Sequence, residues 1–262
     1  MSREQVLRDY EEYKAAGRIW GQVHVDRISK IKFPRPEASV IARYLALPDL
    51  TTTVADLLDT HGVHAVVAAS YIKPLQDGKK MVGTAVTLRS MPERKTVTQG
   101  VIDKEPIKMS TREIYYMSEP GDVLVADFGG NLDVSNMGGQ SALVGKTAGF
   151  VGAVVNGAVR DLPAIREIDY PVWAAGVTPI TGKFRMEATE INGPVRLHDI
   201  IVHPGDLICA DDSGICVVPS ELILPVIEEA EQVGGAEDKM RELITSKAPI
   251  SELRPLFRKR YD

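Results

Sequence analysis

Cysteine is nearly absent: the 262 residues contain two, Cys209 and Cys216, both within the segment LICADDSGICVV. Two thiols cannot build a disulfide framework or a four-cysteine zinc site, and there is no CxxC pair. The five histidines do not make up the shortage. Only His61 and His64 lie close together, across one glycine, with no third ligand at metal-site spacing. Positive charge is also short, with 31 Lys and Arg against 36 Asp and Glu and a net charge of −5. That balance argues against a general nucleic-acid surface, which needs clustered cations. No apolar run approaches the roughly 20 residues of a membrane span. The first residues, MSREQVLRDYEEYK, have no apolar stretch of the signal-peptide kind. The expected protein is cytoplasmic, with neither nucleic acid nor membrane as partner. No internal repeat or low-complexity tract occurs, and a content of 44% hydrophobic and 26% charged residues suits one main globular core.

What is present alternates between helical and strand signals. Residues 1–32 are charged and aromatic, with helical character from Arg3 to Ala16, and are expected to form an extension outside the core. Within it Tyr10, Tyr13, Ile19 and Trp20 offer a docking face. A helix is predicted near 37–47, after Pro34 and Pro36, and another from an N-cap at Thr52 or Thr53, burying Val54, Leu57 and Leu58. Strands are predicted at 64–69, 81–90 and 123–127. A helix at 140–147, a strand at 152–159, a helix at 162–168 and a strand at 172–175 follow, giving α/β layering with some parallel pairing. Residues 195–202 read as one strand. Residues 206–218 read as a hairpin whose register sets Cys209 opposite Cys216, where two small buried hydrophobes are the stronger reading and a redox pair the weaker. A final helix is predicted from about Leu224, interrupted at Gly234-Gly235 because each glycine costs about 1 kcal/mol in a helix interior.

The chemistry concentrates in residues 138–161, GGQSALVGKTAGFVGAVVNGAVRD. The glycine pair opens a short helix, so backbone amides at that helix start can converge on an anion. The following strand ends in Arg160, whose guanidinium can grip a carboxylate with two hydrogen bonds, and Asp161, a hard oxygen donor suited to Mg²⁺. Together these parts can bind and polarise a 2-oxo acid. The ordinary structural reading makes Asp161 the N-cap of the next helix, with Pro163 in its first turn. Asp211 and Asp212 read as turn residues and Lys146 as a solvated helix residue. His198 and His203 stand in reserve for acid-base work.

Beyond that segment, TTTVADLLD (51–59), IKPLQDGKKMVGTAVTL (72–88), GDVLVADFGG (121–130), PVWAAGVTP (171–179) and VHPGDLICADDSGICVVP (202–219) occur in the same chain. In this order, over roughly residues 50–245, the sequence resembles the RraA-like family. That family includes class II 4-hydroxy-4-methyl-2-oxoglutarate aldolases with oxaloacetate decarboxylase activity. The resemblance implies a swivelling β/β/α-type α/β domain at 33–262 with a C-terminal helix, preceded by the N-terminal helical extension. It also implies assembly as homotrimers or homohexamers, with sites near subunit boundaries. It implies a divalent-metal-dependent lyase that releases pyruvate, using Mg²⁺ or Mn²⁺. Arg160 would clamp the carboxylate, Asp161 would bind the metal, and Gly138 to Leu143 would supply the cradle. Glu237, with Asp238 next, would reach the site of a neighbouring subunit. Many members carry an acid where this chain has Gly139, and Gln140, Asp133 or Asp127 are candidates to replace it. The vacancy should harm aldol cleavage more than decarboxylation. The family's namesake implies one rival, a non-catalytic regulator of a ribonuclease, and a further rival is a hydratase or hydrolase acting on a related carboxylate, with the N-terminal extension reshaping the pocket.

Overall fold

The computed structural model describes residues 2–258, with 235–238 and 257–258 described as backbone only. A nine-stranded sheet forms the middle layer. Its centre is a parallel run of β3 (Met81–Pro92), β4 (Asp122–Ser135), β5 (Gly152–Val159) and β6 (Val172–Val177). All eight residues of β5 are buried, as a strand covered on both faces requires. Around this run pair β1 (Val66–Ala68), β2 (Lys73–Pro74), β7 (Met186–Ile191), β10 (Leu207–Asp211) and β11 (Gly214–Val218), all antiparallel. A small ribbon of β8 (Val195–Leu197) and β9 (Ile200–Val202) stands apart. The single strand predicted at 195–202 is therefore a tight hairpin, turned at His198 in the left-handed conformation (φ 56°).

One face of the sheet is covered by α2 (Ala38–Ala46), α3 (Leu50–Thr60) and α8 (Ile223–Thr245), which bury Tyr44, Val54, Leu58 and Ile227. The other is covered by α1 (Arg3–Ala15), α5 (Thr111–Met117), α6 (Gly139–Thr147) and α7 (Leu162–Glu167), with α4 (Val97–Ile102) preceding α5. The N-terminal segment is thus not outside the core. Val6 and Tyr13, seven residues and two helical turns apart, are buried with Val23, Ile28 and Ile31 in the cluster that contains Ile114, Tyr115 and Ile165.

Two further expectations are corrected. Helix α3 begins at Leu50, earlier than predicted, because its start is held from across the chain. The Asp211 carboxylate accepts from Thr51 N (3.0 Å) and from Thr51 Oγ1 (2.6 Å). Asp211 is structural, as its turn chemistry suggested. Helix α8 runs unbroken through Gly234 and Gly235, since glycine lowers helix stability without forbidding helical φ and ψ. Helix α9 (Ile250–Arg258) follows it. No helix among the described residues is long and apolar enough to cross a membrane.

Cys209 and Cys216 do face each other, as free buried thiols. Burial pushes the Cys209 thiol well up and that of Cys216 to about 12, so both stay protonated at neutral pH and pack as small hydrophobes.

The start of β4 carries a buried ion pair. Arg35 Nε and Nη2 each lie 2.8 Å from an oxygen of Asp122, whose side chain is 1% exposed. Removing one partner strands the other charge, so Arg35→Met is expected to cost about 3–5 kcal/mol in denaturant unfolding. Burial raises the Asp122 pKa, opposed by Arg35. Without Arg35 the carboxyl takes a proton more readily still. The deficit should therefore be full at and above neutral pH and shrink as pH falls through the raised folded-state pKa.

Candidate active site

The end of β5 and the loop before α6 run side by side. Asn136 N donates to Ala158 O (2.8 Å) and Arg160 N to Met137 O (3.0 Å), which brings Gly138 and Gly139 against Arg160 and Asp161 although 22 positions separate them. Asp161 occupies the N-cap position of α7, yet its side chain makes no capping bond there. Its backbone is left-handed (φ 60°, ψ 39°), a conformation that costs a non-glycine residue about 1–3 kcal/mol and gathers at functional sites. The carboxylate turns instead to α6, where Oδ2 accepts from Gly139 N at 3.1 Å. Asp161 is thus the N-cap by position, with Pro163 in the first turn, but not through its side chain.

Arg160 Nε lies 3.5 Å from the same oxygen, and the guanidinium has no other ion-pair partner among the described residues. Both side chains reach solvent, at 33% exposure for Arg160 and 46% for Asp161. The glycines are there to permit this approach. A Cβ on Gly138 would stand 2.3 Å from Asp161 Oδ2 and 3.0 Å from Arg160 Cγ. One on Gly139 would stand 2.7 Å from Ala164 Cβ, so packing of α6 against α7 demands glycine there.

The cradle is narrower than the sequence suggested. Ala142 N bonds to Gly138 O (3.0 Å), which closes the first turn, and Leu143 lies beyond it on the same helix. The first-turn amides of Gln140 and Ser141 remain open among the described residues. A cleft of about 570 Å³ passes Gly139, Gln140, Leu143, Asp161, Ala164 and Glu167.

Of the substitutes for the missing acid, Asp127 is spent on structure. It is buried and accepts from Gly129 N (2.8 Å), Asn156 Nδ2 (3.2 Å) and Arg196 N (3.0 Å). Asp133 is exposed, and its carbonyl accepts from Thr178 Oγ1 (3.3 Å). Gln140 does line the cleft, and its Oε1 accepts from Arg112 Nη2 at 3.4 Å. Glu237 and Asp238 fall in α8, and their side chains lie outside the described residues. Lys146 donates to Ile168 O, His198 stacks on Tyr71 (3.9 Å between centroids), and the backbone N of His203 donates to Asp206 Oδ2.

Sequence reasoning missed Asn136. It is 1% exposed, two residues before Gly138, and its side-chain amide makes no hydrogen bond among the described residues. In the string SNMGG it reads as ordinary loop chemistry, and only burial sets it apart.

No group of three or more His, Cys, Asp or Glu able to hold a metal occurs among the described residues. That excludes a protein-built zinc cage within them. A lone hard carboxylate fits Mg²⁺, which keeps several waters and binds through one or two carboxylates with substrate oxygens. Asp161 meets that requirement, since Oδ2 has one protein donor and the group is half exposed.

The sequence profile of the RraA-like family, described as aldolase/RraA, matches residues 51–217. A protein of Halalkalibacterium halodurans, provisionally named 4-hydroxy-4-methyl-2-oxoglutarate aldolase, is 30% identical over 206 residues, which is 79% of this chain and 88% of that protein. Protein DlpA of Legionella pneumophila is 29% identical over 206 residues, 77% of this chain but only 31% of DlpA. Among solved structures, Streptomyces coelicolor RraAS2, described as an unusual member of the RNase ES inhibitor RraA protein family, superposes with a TM-score of 0.66. It shares 27% identity over 80% of this chain and 99% of its own. The profile covers the glycine pair, Arg160 and Asp161, and the likeness in fold extends over the sheet that brings them together: the chain belongs to the RraA-like family.

Proposed function

We propose that the chain is a divalent-metal-dependent lyase that cleaves a short 2-oxo acid to pyruvate. The observation that carries this reading is the juxtaposition of Arg160 and the strained Asp161 with the open amides that begin α6. A planar guanidinium and two convergent amides suit a carboxylate, and the same positive field offsets the charge of an enolate. Asp161 would hold Mg²⁺ or Mn²⁺, which when bound supplies Lewis acidity toward the 2-oxo group. Arg160 and the Gln140 and Ser141 amides orient the pyruvoyl end and stabilise the charge that builds there. In retro-aldol cleavage the 4-hydroxyl gives up its proton to a solvent base, the C3–C4 bond breaks, C4 departs as a carbonyl compound, and the bond's electron pair passes into the enolate, which then takes a proton from solvent at C3. Oxaloacetate decarboxylation reaches the same enolate with loss of CO₂ and without the hydroxyl step. With glycine at 139, decarboxylation should be the better retained of the two.

A homotrimer or homohexamer would let Glu237 of a neighbouring copy approach the site. The name carried by the relative from Halalkalibacterium halodurans supports the lyase reading. The glycine at 139 and the likeness to RraAS2 favour a second one, a non-catalytic regulator that binds a ribonuclease.

Metal-stripped protein is expected to release pyruvate from oxaloacetate and from 4-hydroxy-4-methyl-2-oxoglutarate only when Mg²⁺ or Mn²⁺ is restored. Release no faster than with metal alone would contradict the lyase reading and favour the regulator.

A further inference from the structure

Residues 18–22 of the N-terminal segment are strapped across α5. The buried Glu113 carboxylate accepts from the backbone amides of Trp20 (2.8 Å), Gly21 (3.1 Å) and Gln22 (2.8 Å). At the other end of α5, Arg18 donates to Tyr116 O (3.0 Å) and Ser118 O (2.6 Å). These bonds fix the Trp20 ring, which stacks on Tyr116 with centroids 5.7 Å apart and planes 5° from parallel. The Arg112 guanidinium lies 5.8 Å from the centroid of Trp20, within cation–π range.

Arg112 has no ion-pair partner among the described residues. Among the described residues its one hydrogen bond is the long 3.4 Å contact to Gln140 Oε1, and no carboxylate lies within ion-pair distance. A guanidinium stays charged and carries five donors in a fixed fork that matches a carboxylate. Its neighbour Thr111 accepts from Ser141 Oγ at 3.1 Å, so α5 and the first turn of α6 are tied together. Arg112 therefore stands one glutamine side chain away from the amides proposed to hold the pyruvoyl end, within reach of a short carbon chain.

We propose that Arg112 determines specificity by receiving the distal carboxylate of a 2-oxo dicarboxylic acid. On ligand binding the neutral, long contact to Gln140 is exchanged for a charge-assisted pair, and the strap serves to pre-position the guanidinium through Trp20. This inference rests on the lyase reading, because that reading places the other end of the substrate.

Two probes separate the two ideas. Oxalate resembles the pyruvate enolate and has no distal group, whereas 2-oxoglutarate carries one. With Mg²⁺ present, Arg112→Met should leave calorimetric oxalate affinity within about twofold. It should weaken 2-oxoglutarate binding and raise KM for 4-hydroxy-4-methyl-2-oxoglutarate, which keeps its distal carboxylate through cleavage, by about ten- to a hundredfold, with kcat little changed. Arg112→Lys should recover part of the loss, and thermal melting shows that both variants fold. Equal weakening of oxalate and 2-oxoglutarate would mean that Arg112 acts through α6 as a structural support, and no change in either would mean that it meets no substrate. Both results overturn the proposal while leaving the lyase reading intact. Failure of the unaltered protein to bind oxalate overturns the lyase reading and this proposal with it.

Discussion

Arg160→Ala is expected to lower kcat/KM for pyruvate release by about 10²–10³-fold, the range found when one preorganised charge-stabilising donor is removed. Its melting curve should not move. The guanidinium is a third exposed and its partner, Asp161, lies at 3.5 Å, a geometry worth little to stability. The link to the fold runs instead through the backbone, from Arg160 N to Met137 O, and alanine keeps that bond. Arg160→Lys retains the charge but loses the two-pronged grip, so it should fall between alanine and the native residue. Full activity in the alanine variant would remove Arg160 from the site.

The second large effect comes from a residue with no side chain. In Gly138→Ala the new methyl would sit 2.3 Å from Asp161 Oδ2 and 3.0 Å from Arg160 Cγ, so both groups must move. The backbone itself tolerates the change, because Gly138 has φ −142°, an ordinary extended value. Displacing a reacting group by about 1 Å is enough to cost 10²-fold in rate, and a loss of that order in kcat/KM is expected. The displaced atoms belong to partly exposed side chains, so unfolding in denaturant should show a loss of only about 1 kcal/mol, at the low end for overpacking. A variant that is stable and fully active would show that the close approach of the two segments has no role in turnover.

What was legible in the sequence was local. The glycine pair, the helix behind it, the strand and the Arg-Asp pair stand within 24 consecutive residues, and β5 is recognisable because a strand buried on both faces is apolar, here in all but Asn156. The hairpin register that sets Cys209 against Cys216 follows from a short turn and a period of two. What was hidden depends on groups far apart in the chain. Asp211 holds the start of α3 from 160 positions away, and Glu113 ties down Trp20, Gly21 and Gln22 from more than 90. No periodicity in a window of a dozen residues encodes such a bond. Arg112 reads as an ordinary helix charge until the strap places Trp20 beside it. The left-handed Asp161 was equally invisible: an aspartate before a helix with an early proline looks like a cap, and only the coordinates show its carboxylate turned to Gly139.

The central claim is that Arg160, Asp161 and the α6 amides stabilise a pyruvate enolate, whatever larger acid supplies it. The most direct measurement is exchange of the pyruvate methyl protons with D₂O, followed by NMR with Mg²⁺ present, because it needs no knowledge of the natural substrate. The native protein should exchange those protons well above the rate with Mg²⁺ alone, and Arg160→Ala should return the rate to that background. Exchange at the background rate by the native protein, or equal exchange by both proteins, would contradict the account.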